Sequence, residues 1–521
     1  MKSVQALPQR DTSSVGWPRS IKRFSALGLV LATLLTLMAP LHAAELRAGA
    51  ARADITERDT VPVHDPLYAK ALVLKSDSST AVVITLDAVS VGEIGRIGNG
   101  FLASVRAELQ RDLGIAPESV FINASHCHGV VRADTLQLTV QAVKEAWRNL
   151  APARAAATSG TEGGISENRR LKLIDGTEVD MRRAYPLPPD AAVASVGPID
   201  PQIGILRLDR EDGRPLAVLY NFACHPIMNP PSTGNTADFP GYASKVIEEE
   251  LGQGALAFFV QGCGGDINPV GYKIPTRRPS AEPLGTKLGL SVMREARKLV
   301  TTSGPVLKSV SRTLALPRNA DFARRIAANE AEQLKLVRSL RSTNLDFKAF
   351  LPLYVQHRLA PEMPSGHVQN YLRQKAEGKE DLLRMDADNG AALSAYVENI
   401  HTMEQLTRLN TNLALLKRHQ AQTEAAGTST LEVEVGGLRV GDFRLVTFPG
   451  ELSVEVGLNI KRAASLPHGF VAGYTNGYIY YTSTAAQLGN KGYAQEDCDT
   501  LVAPEWQKLF EDAAVEMLKS L

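Results

Sequence analysis

The chain has 521 residues, 44% of them hydrophobic, 57 Lys and Arg against 56 Asp and Glu, and a formal charge of +1. That balance gives no electrostatic reason to expect nucleic acid or an anionic membrane as partner, and the apolar share is ample for a packed core. Four cysteines, Cys127, Cys224, Cys263 and Cys498, are too few for a disulfide scaffold in a chain of this size. They are read as buried free thiols or as one bridge, Cys224 to Cys263.

Residues 1–44 read as a secretory signal peptide. Arg19, Lys22 and Arg23 precede an apolar run over 24–41, which ends in His42-Ala43-Ala44. The expectation is an exported protein, periplasmic or secreted. The leader holds five basic and one acidic side chain, so the remainder carries a formal charge of −3. No later segment is apolar for long enough to span a bilayer. Residues 45–521 are expected to form a single catalytic domain.

From 46 to about 316, strand-like and helix-like units alternate. Residues 81–86 are a continuous apolar run ending at Asp87, as in a strand buried on both faces. A helix is predicted near 101–113, a strand over 119–124 leading into Ser125-His126-Cys127-His128, and a helix over 135–150. Strands at 203–208 and 216–223 flank the Glu211-Asp212-Gly213 turn, with His225 after the second. A loop at 226–239 opens into a helix that ends at Gly252. A strand at 255–260 runs into Gly262-Cys263-Gly264-Gly265-Asp266, and a helix covers about 284–300. Residues 321–426 are charged and helix-rich, which predicts a helical insertion. Strands then resume at 430–435, 438–440, 443–447 and 469–473. The fold class expected is α/β, a mixed β-sheet core flanked by helices.

Asp87, His126, His128, His225, Asp266 and Glu451 all fall just past a predicted strand, where the sites of α/β proteins collect. On a strand, His126 and His128 would project to one face, about 7 Å apart, with Cys127 turned away. A catalytic zinc needs about three ligands from His and carboxylate plus an open position for water. His126, His225 and Glu451 supply that set from three strands. The glycine-rich turn 262–266 could bring backbone N–H groups close to an oxyanion. By chemistry alone, Asn168-Arg169-Arg170 reads as a solvated turn.

Ser125-His126-Cys127-His128-Gly129, Asn168-Arg169, Asn221-Phe222-Ala223-Cys224-His225-Pro226, Gly264-Gly265-Asp266-Ile267-Asn268-Pro269 and Pro449-Gly450-Glu451, with the tyrosines near the end, resemble the neutral/alkaline non-lysosomal ceramidase family. The likeness runs in order from residue 46 to about 493. It implies a fold like the N-terminal domain of ceramidases and one Zn2+ per chain, held by His126, His225, Glu451 and Tyr481, with Tyr478 and Tyr480 as the other candidates for the tyrosine. It further implies His128 as proton-transfer residue, Arg169 at the oxyanion, and Tyr493, twelve residues beyond Tyr481, at the reacting carbonyl.

Two departures stand out. Asn268 occupies the place of the family's active-site serine, and asparagine cannot accept an acyl group, though it can orient water or substrate. Only 28 residues follow Tyr493, too few for the family's C-terminal immunoglobulin-like domain. The sequence therefore reads as an exported zinc-dependent hydrolase that cleaves an N-acyl amide, ceramide among the candidates, by metal-activated water. The alternatives are a zinc hydrolase for a polar substrate, such as a modified sugar or a peptide-like amide, and a non-catalytic exported metal-binding protein.

Overall fold

Strands buried on both faces organise the chain. The computed structural model describes residues 45–60, 62–77, 79–180, 188, 190–229, 234–272, 279–492 and 494–521; the leader at 1–44 and Tyr493 lie outside the described residues. Eight strands form the first sheet: β1 (Arg47–Asp54), β2 (Tyr68–Lys75), β3 (Thr80–Leu86), β4 (Val120–Ala124), β5 (Ala151–Thr161), β6 (Gln202–Arg210), β7 (Pro215–Phe222) and β8 (Leu256–Gln261). Their spatial order is β8-β7-β6-β5-β1-β2-β3-β4. A second sheet contains β9 (Leu307–Pro317), β10 (Thr430–Val440), β11 (Phe443–Thr447) and β12 (Gly469–Ala472), in that order.

The helices are α1 (Phe101–Leu113), α2 (Thr135–Arg148), α3 (Asp238–Leu251), α4 (Glu282–Ala296), α5 (Phe322–Ser339), α6 (Phe347–Leu359), α7 (Val368–Ala376), α8 (Asp381–Ala426), α9 (Val454–Ala464) and α10 (Trp506–Ser520). The two sheets stack face to face over Leu72, Phe121, Leu206, Phe258, Leu438 and Phe470. Helices α1 to α4 cover the outer face of the first sheet, and α9 and α10 that of the second. The predicted mixed α/β core with flanking helices is observed, and it proves to be two sheets deep. The run 81–86 illustrates why: Val82, Ile84 and Leu86 face the helices, whereas Ala81 and Val83 face the second sheet.

Most neighbouring strands are antiparallel. Within these two sheets the parallel pairs are β3–β4, β7–β8 and β11–β12, bridged by α1, α3 and α9 respectively. A parallel pair requires such a crossover, and each crossover leaves its two strands ending on the same side. Residues 430–435 and 438–440 belong to one strand, because Gly436 and Gly437 continue β10 instead of breaking it. A Cβ on Gly436 would lie 2.5 Å from Phe121 Cε1, so the glycine lets the sheets approach. The charged block at 321–426 is helical as expected, comprising α5 to α8 between the paired strands β9 and β10.

Asn123 fastens the two sheets at their carboxyl ends. Its side-chain amide donates to Gly473 O (2.8 Å) and Thr475 Oγ1 (2.9 Å), and its oxygen accepts from Gln261 N (2.9 Å). Asn221 makes a similar tie, donating to Val260 O and Val471 O. Asn123→Ala would leave the Gln261 N–H buried without its acceptor, and we expect a loss of about 2–3 kcal/mol, measured by urea unfolding.

Candidate metal centre

The three crossovers deliver one residue each to the same place. His126 follows β4, His225 follows β7 and Glu451 follows β11, and all three are buried. Their donor atoms lie within 4.8 Å of one another. Glu451 Oε2 stands 3.1 Å from His225 Nε2 and 3.6 Å from His126 Nε2. Each imidazole is fixed from behind: His126 Nδ1 meets Val89 O at 2.6 Å, and His225 Nδ1 meets Gly264 O at 2.5 Å. A carbonyl can only accept, so Nδ1 carries the proton in both rings and the Nε2 lone pairs face the carboxylate. This is the tautomer a metal requires.

The route to this arrangement differs from the predicted one. Strand β4 stops at Ala124, so His126-Cys127-His128 is not strand, and His126 adopts φ +68°. Ser125 N and His126 N bond to Leu86 O and Ala88 O, turning the chain over the end of β3. His126 and His128 are nonetheless neighbours, with ring centroids 5.3 Å apart and planes at 82°. His128 is exposed, and Cys127 is buried in the core.

The carboxylate of Glu451 is held by tyrosines that sequence reasoning did not single out for it. Tyr474 Oη donates to Oε2 at 3.2 Å, and Tyr478 Oη donates to Oε1. Burial alone would raise the pKa of the Glu451 carboxyl. The charge of the His126 and His225 imidazoles when Nε2 is protonated, together with the Tyr478 hydroxyl, outweighs it and holds this carboxyl well below the usual range. Burial, reinforced by the negative charge of Glu451, pushes the Tyr474 and Tyr478 hydroxyls well above their ordinary value, which keeps them protonated as donors. Tyr480 turns away, to Glu93 and Gln422. Tyr481 Oη lies 3.5 Å from His225 Nε2, the same nitrogen that faces Glu451 Oε2. Of the three tyrosines left open by the sequence, Tyr481 therefore lies at a nitrogen donor and Tyr478 at the carboxylate.

One loop fixes the other side of the centre. Segment Ile267–Pro269 pairs with Ser166–Asn168, which sets Arg169 beside Asn268. Arg169 is buried: it donates to Gly265 O and to Asn268 Oδ1 (3.3 Å), and its Nε lies 2.6 Å from Glu496 Oε1. Its guanidinium carbon sits 5.5 Å from the centre of the Tyr481 ring. Burial works against this charge, and Glu496 more than offsets it, so the Arg169 pKa is raised. Arg169 and Arg170 are thus interior ion pairs, not the solvated turn that composition suggested. The usable signal was the acidic run Glu496, Asp497 and Asp499, of which Glu496 faces Arg169 and Asp497 faces Arg170.

Further expectations are corrected. In the turn 262–266 the N–H groups of Gly262, Gly264 and Gly265 are not offered to a ligand, because they bond to Phe222 O, Gly262 O and Leu452 O. Its glycines serve close packing instead: a Cβ on Gly265 would lie 2.7 Å from Glu451 O. Asp266 accepts from Val454 N at the start of α9, and Asp87 accepts from Tyr68 N, so neither joins the three donors. All four cysteines are free and buried, which removes the Cys224–Cys263 bridge.

Set against solved structures, this architecture finds a counterpart. A crystal structure of neutral ceramidase from Pseudomonas aeruginosa matches with a TM-score of 0.56 at 18% identity, covering 92% of this chain and 74% of that one. A ceramidase complexed with C2 matches with a TM-score of 0.56 at 17% identity, covering 92% and 75%. This chain has a neutral-ceramidase-like fold. No protein-family model matches the sequence, and no curated protein matches it either.

Two imidazoles and a carboxylate, with a tyrosine alongside, form the donor set that zinc takes in open sites. We expect about one Zn2+ per chain in the purified protein, and its loss in His225→Ala and in Glu451→Gln, measured by elemental analysis. Tyr478→Phe, which removes a donor behind Glu451, should weaken metal affinity by about tenfold in chelator competition.

Proposed function

We propose that the protein is an exported, zinc-dependent hydrolase of the neutral-ceramidase superfamily that cleaves an N-acyl amide. The observation that carries this reading is the convergence of His126, His225 and Glu451, with both imidazole tautomers fixed toward one point, on a ceramidase-like scaffold. In this reading His126, His225, Glu451 and Tyr481 hold the ion, which supplies the charge that acidifies water and polarises a carbonyl.

The protein's own groups divide the remaining work. His128, exposed beside His126, exchanges protons with the attacking water and the departing amine. Arg169 has its donors engaged by Gly265, Asn268 and Glu496, so it contributes a fixed positive charge and positions Tyr481 and Asn268. Tyr493 supports the reacting carbonyl, as the family resemblance implies. Asn268 orients water or substrate. No acyl-enzyme forms at that position, because an amide side chain is not a nucleophile.

The test is a mass-spectrometric screen of N-acyl lipids, ceramide included, and N-acyl sugars, with wild type, His126→Ala and His128→Ala. Hydrolysis should disappear with chelator and return with zinc. His128→Ala should lower kcat by about 10²–10⁴-fold while zinc content stays unchanged. Hydrolysis that survives His126→Ala would sink the proposal. Turnover of acylated sugars with none of N-acyl lipids would move the substrate to the polar class.

A further inference from the structure

The net charge gives no reason to expect a membrane partner, yet the apolar surface is distributed unevenly. Thirteen of the nineteen exposed large apolar side chains among the described residues lie on α5 to α8 and the turns joining them, about a fifth of the chain. A monomer scatters such residues; clustering on one appendage marks a contact surface.

Helix α6 shows the pattern in its clearest form. Phe347, Leu351, Val355 and Leu359 recur every four residues and are exposed by 63, 47, 47 and 81%. Residues at that spacing share one helix face. The inner side of α6 has its partner in the chain: Phe350 is buried and stacks on Tyr396 of α8, centroids 4.3 Å apart. The helix is thus apolar on two sides, and only one is used internally. On α7, Val368 and Leu372 repeat the arrangement while Tyr371 points inward to Asp386.

Charge decides what the outer face meets. Within their spans α6 and α7 carry Lys348, Arg358, Arg373 and Lys375 and no carboxylate; the acids Asp346, Glu362 and Glu377 stand at the helix ends and turns. The guanidinium of the exposed Arg358 lies over the Tyr354 ring, and its Nε donates to Tyr354 Oη at 3.2 Å. A second copy of this face would bring cation against cation. An anionic lipid surface would meet both the apolar stripe and its basic margin, the combination found in helices that lie in a membrane interface. No helix among the described residues is long and apolar enough to cross a membrane, so contact would be at the surface.

The appendage is tied to the metal centre by its long helix. Near the C-terminal end of α8, His419 Nε2 lies 2.8 Å from Asp499 Oδ1, and Arg418 packs over Tyr480, next to Tyr481. From Tyr396 to His419 is about 35 Å at 1.5 Å per residue. The distance suits a tether that holds the enzyme at the surface, not a chute that feeds the centre.

We propose that the outer face of α6, continued by α7, docks the protein on anionic lipid bilayers. The purpose assigned to it rests on the N-acyl lipid reading above; the binding itself does not. The experiment is flotation of the full chain with vesicles of equimolar phosphatidylglycerol and phosphatidylcholine, and with phosphatidylcholine alone, in the absence of substrate. Wild type should float with the anionic vesicles, less so at high salt. Leu351→Glu with Val355→Glu should reduce that partition by at least about tenfold with zinc content unchanged, which reports an intact fold. Lys348→Glu with Arg358→Glu should abolish the preference for anionic lipid. No flotation of wild type, flotation insensitive to Leu351→Glu with Val355→Glu, or a dimer that this variant makes monomeric would each overturn the proposal. Flotation without hydrolysis of any N-acyl lipid would support the surface while removing the proposed reaction.

Discussion

A carboxylate removed from water is tolerated only where charge and hydrogen-bond donors replace what the water supplied. Glu451 is 1% exposed, at the meeting point of two sheets. Two imidazoles and two tyrosine hydroxyls surround it, and both imidazoles are in turn fixed by backbone carbonyls. His225 answers to Gly264 O, which lies in the turn packed against the main chain of Glu451. His126 answers to Val89 O, beyond the end of β3. The packing at the carboxyl ends of both sheets follows from keeping that one charge compensated.

The topology explains why compensation is available from three directions. Antiparallel pairs make up most of both sheets, and their ends alternate. Only where a helix crosses over do adjacent strands finish together, and the three crossovers bring β4, β7 and β11 to a common edge. Asn123 and Asn221 then hold the edges of the two sheets in register. Strained backbone gathers at the same edge: His126, Tyr474, Asn476 and Tyr480 all take positive φ. Conformations of that kind persist where surrounding contacts over-determine them, as at functional sites.

Much of this was legible in the sequence because polar residues at the ends of apolar runs have few structural reasons to be histidine. Runs such as 81–86 and 255–260 announced their strands, and the candidate ligands stood directly after such runs. The layering was not legible, since β5, with its sequence Ala-Pro-Ala-Arg-Ala-Ala-Ala, favours helix locally and becomes a strand only because β1 and β6 pair with it. Strand β10 hid behind its two glycines. The reading of Arg169-Arg170 failed because a charge can be interior when its partner lies more than 300 residues away. Tyr474 was missed, and Tyr478 was named only as a candidate metal-side tyrosine, because a buried hydroxyl reveals its purpose only when its acceptor is known.

The wide spacing of the donors in the chain has a kinetic consequence. His126, His225 and Glu451 are 99 and 226 residues apart, and Tyr481 follows later still. In an unfolded chain, loops of that length keep the donors too dilute about one another to compete for a trace ion. Affinity for the ion can arise only once β11 and β12 have docked on the first sheet, late in a fold dominated by non-local pairing. On the proposed reading, metal capture would therefore work as a checkpoint: an ion retained through dilution would identify a molecule whose two sheets have already closed.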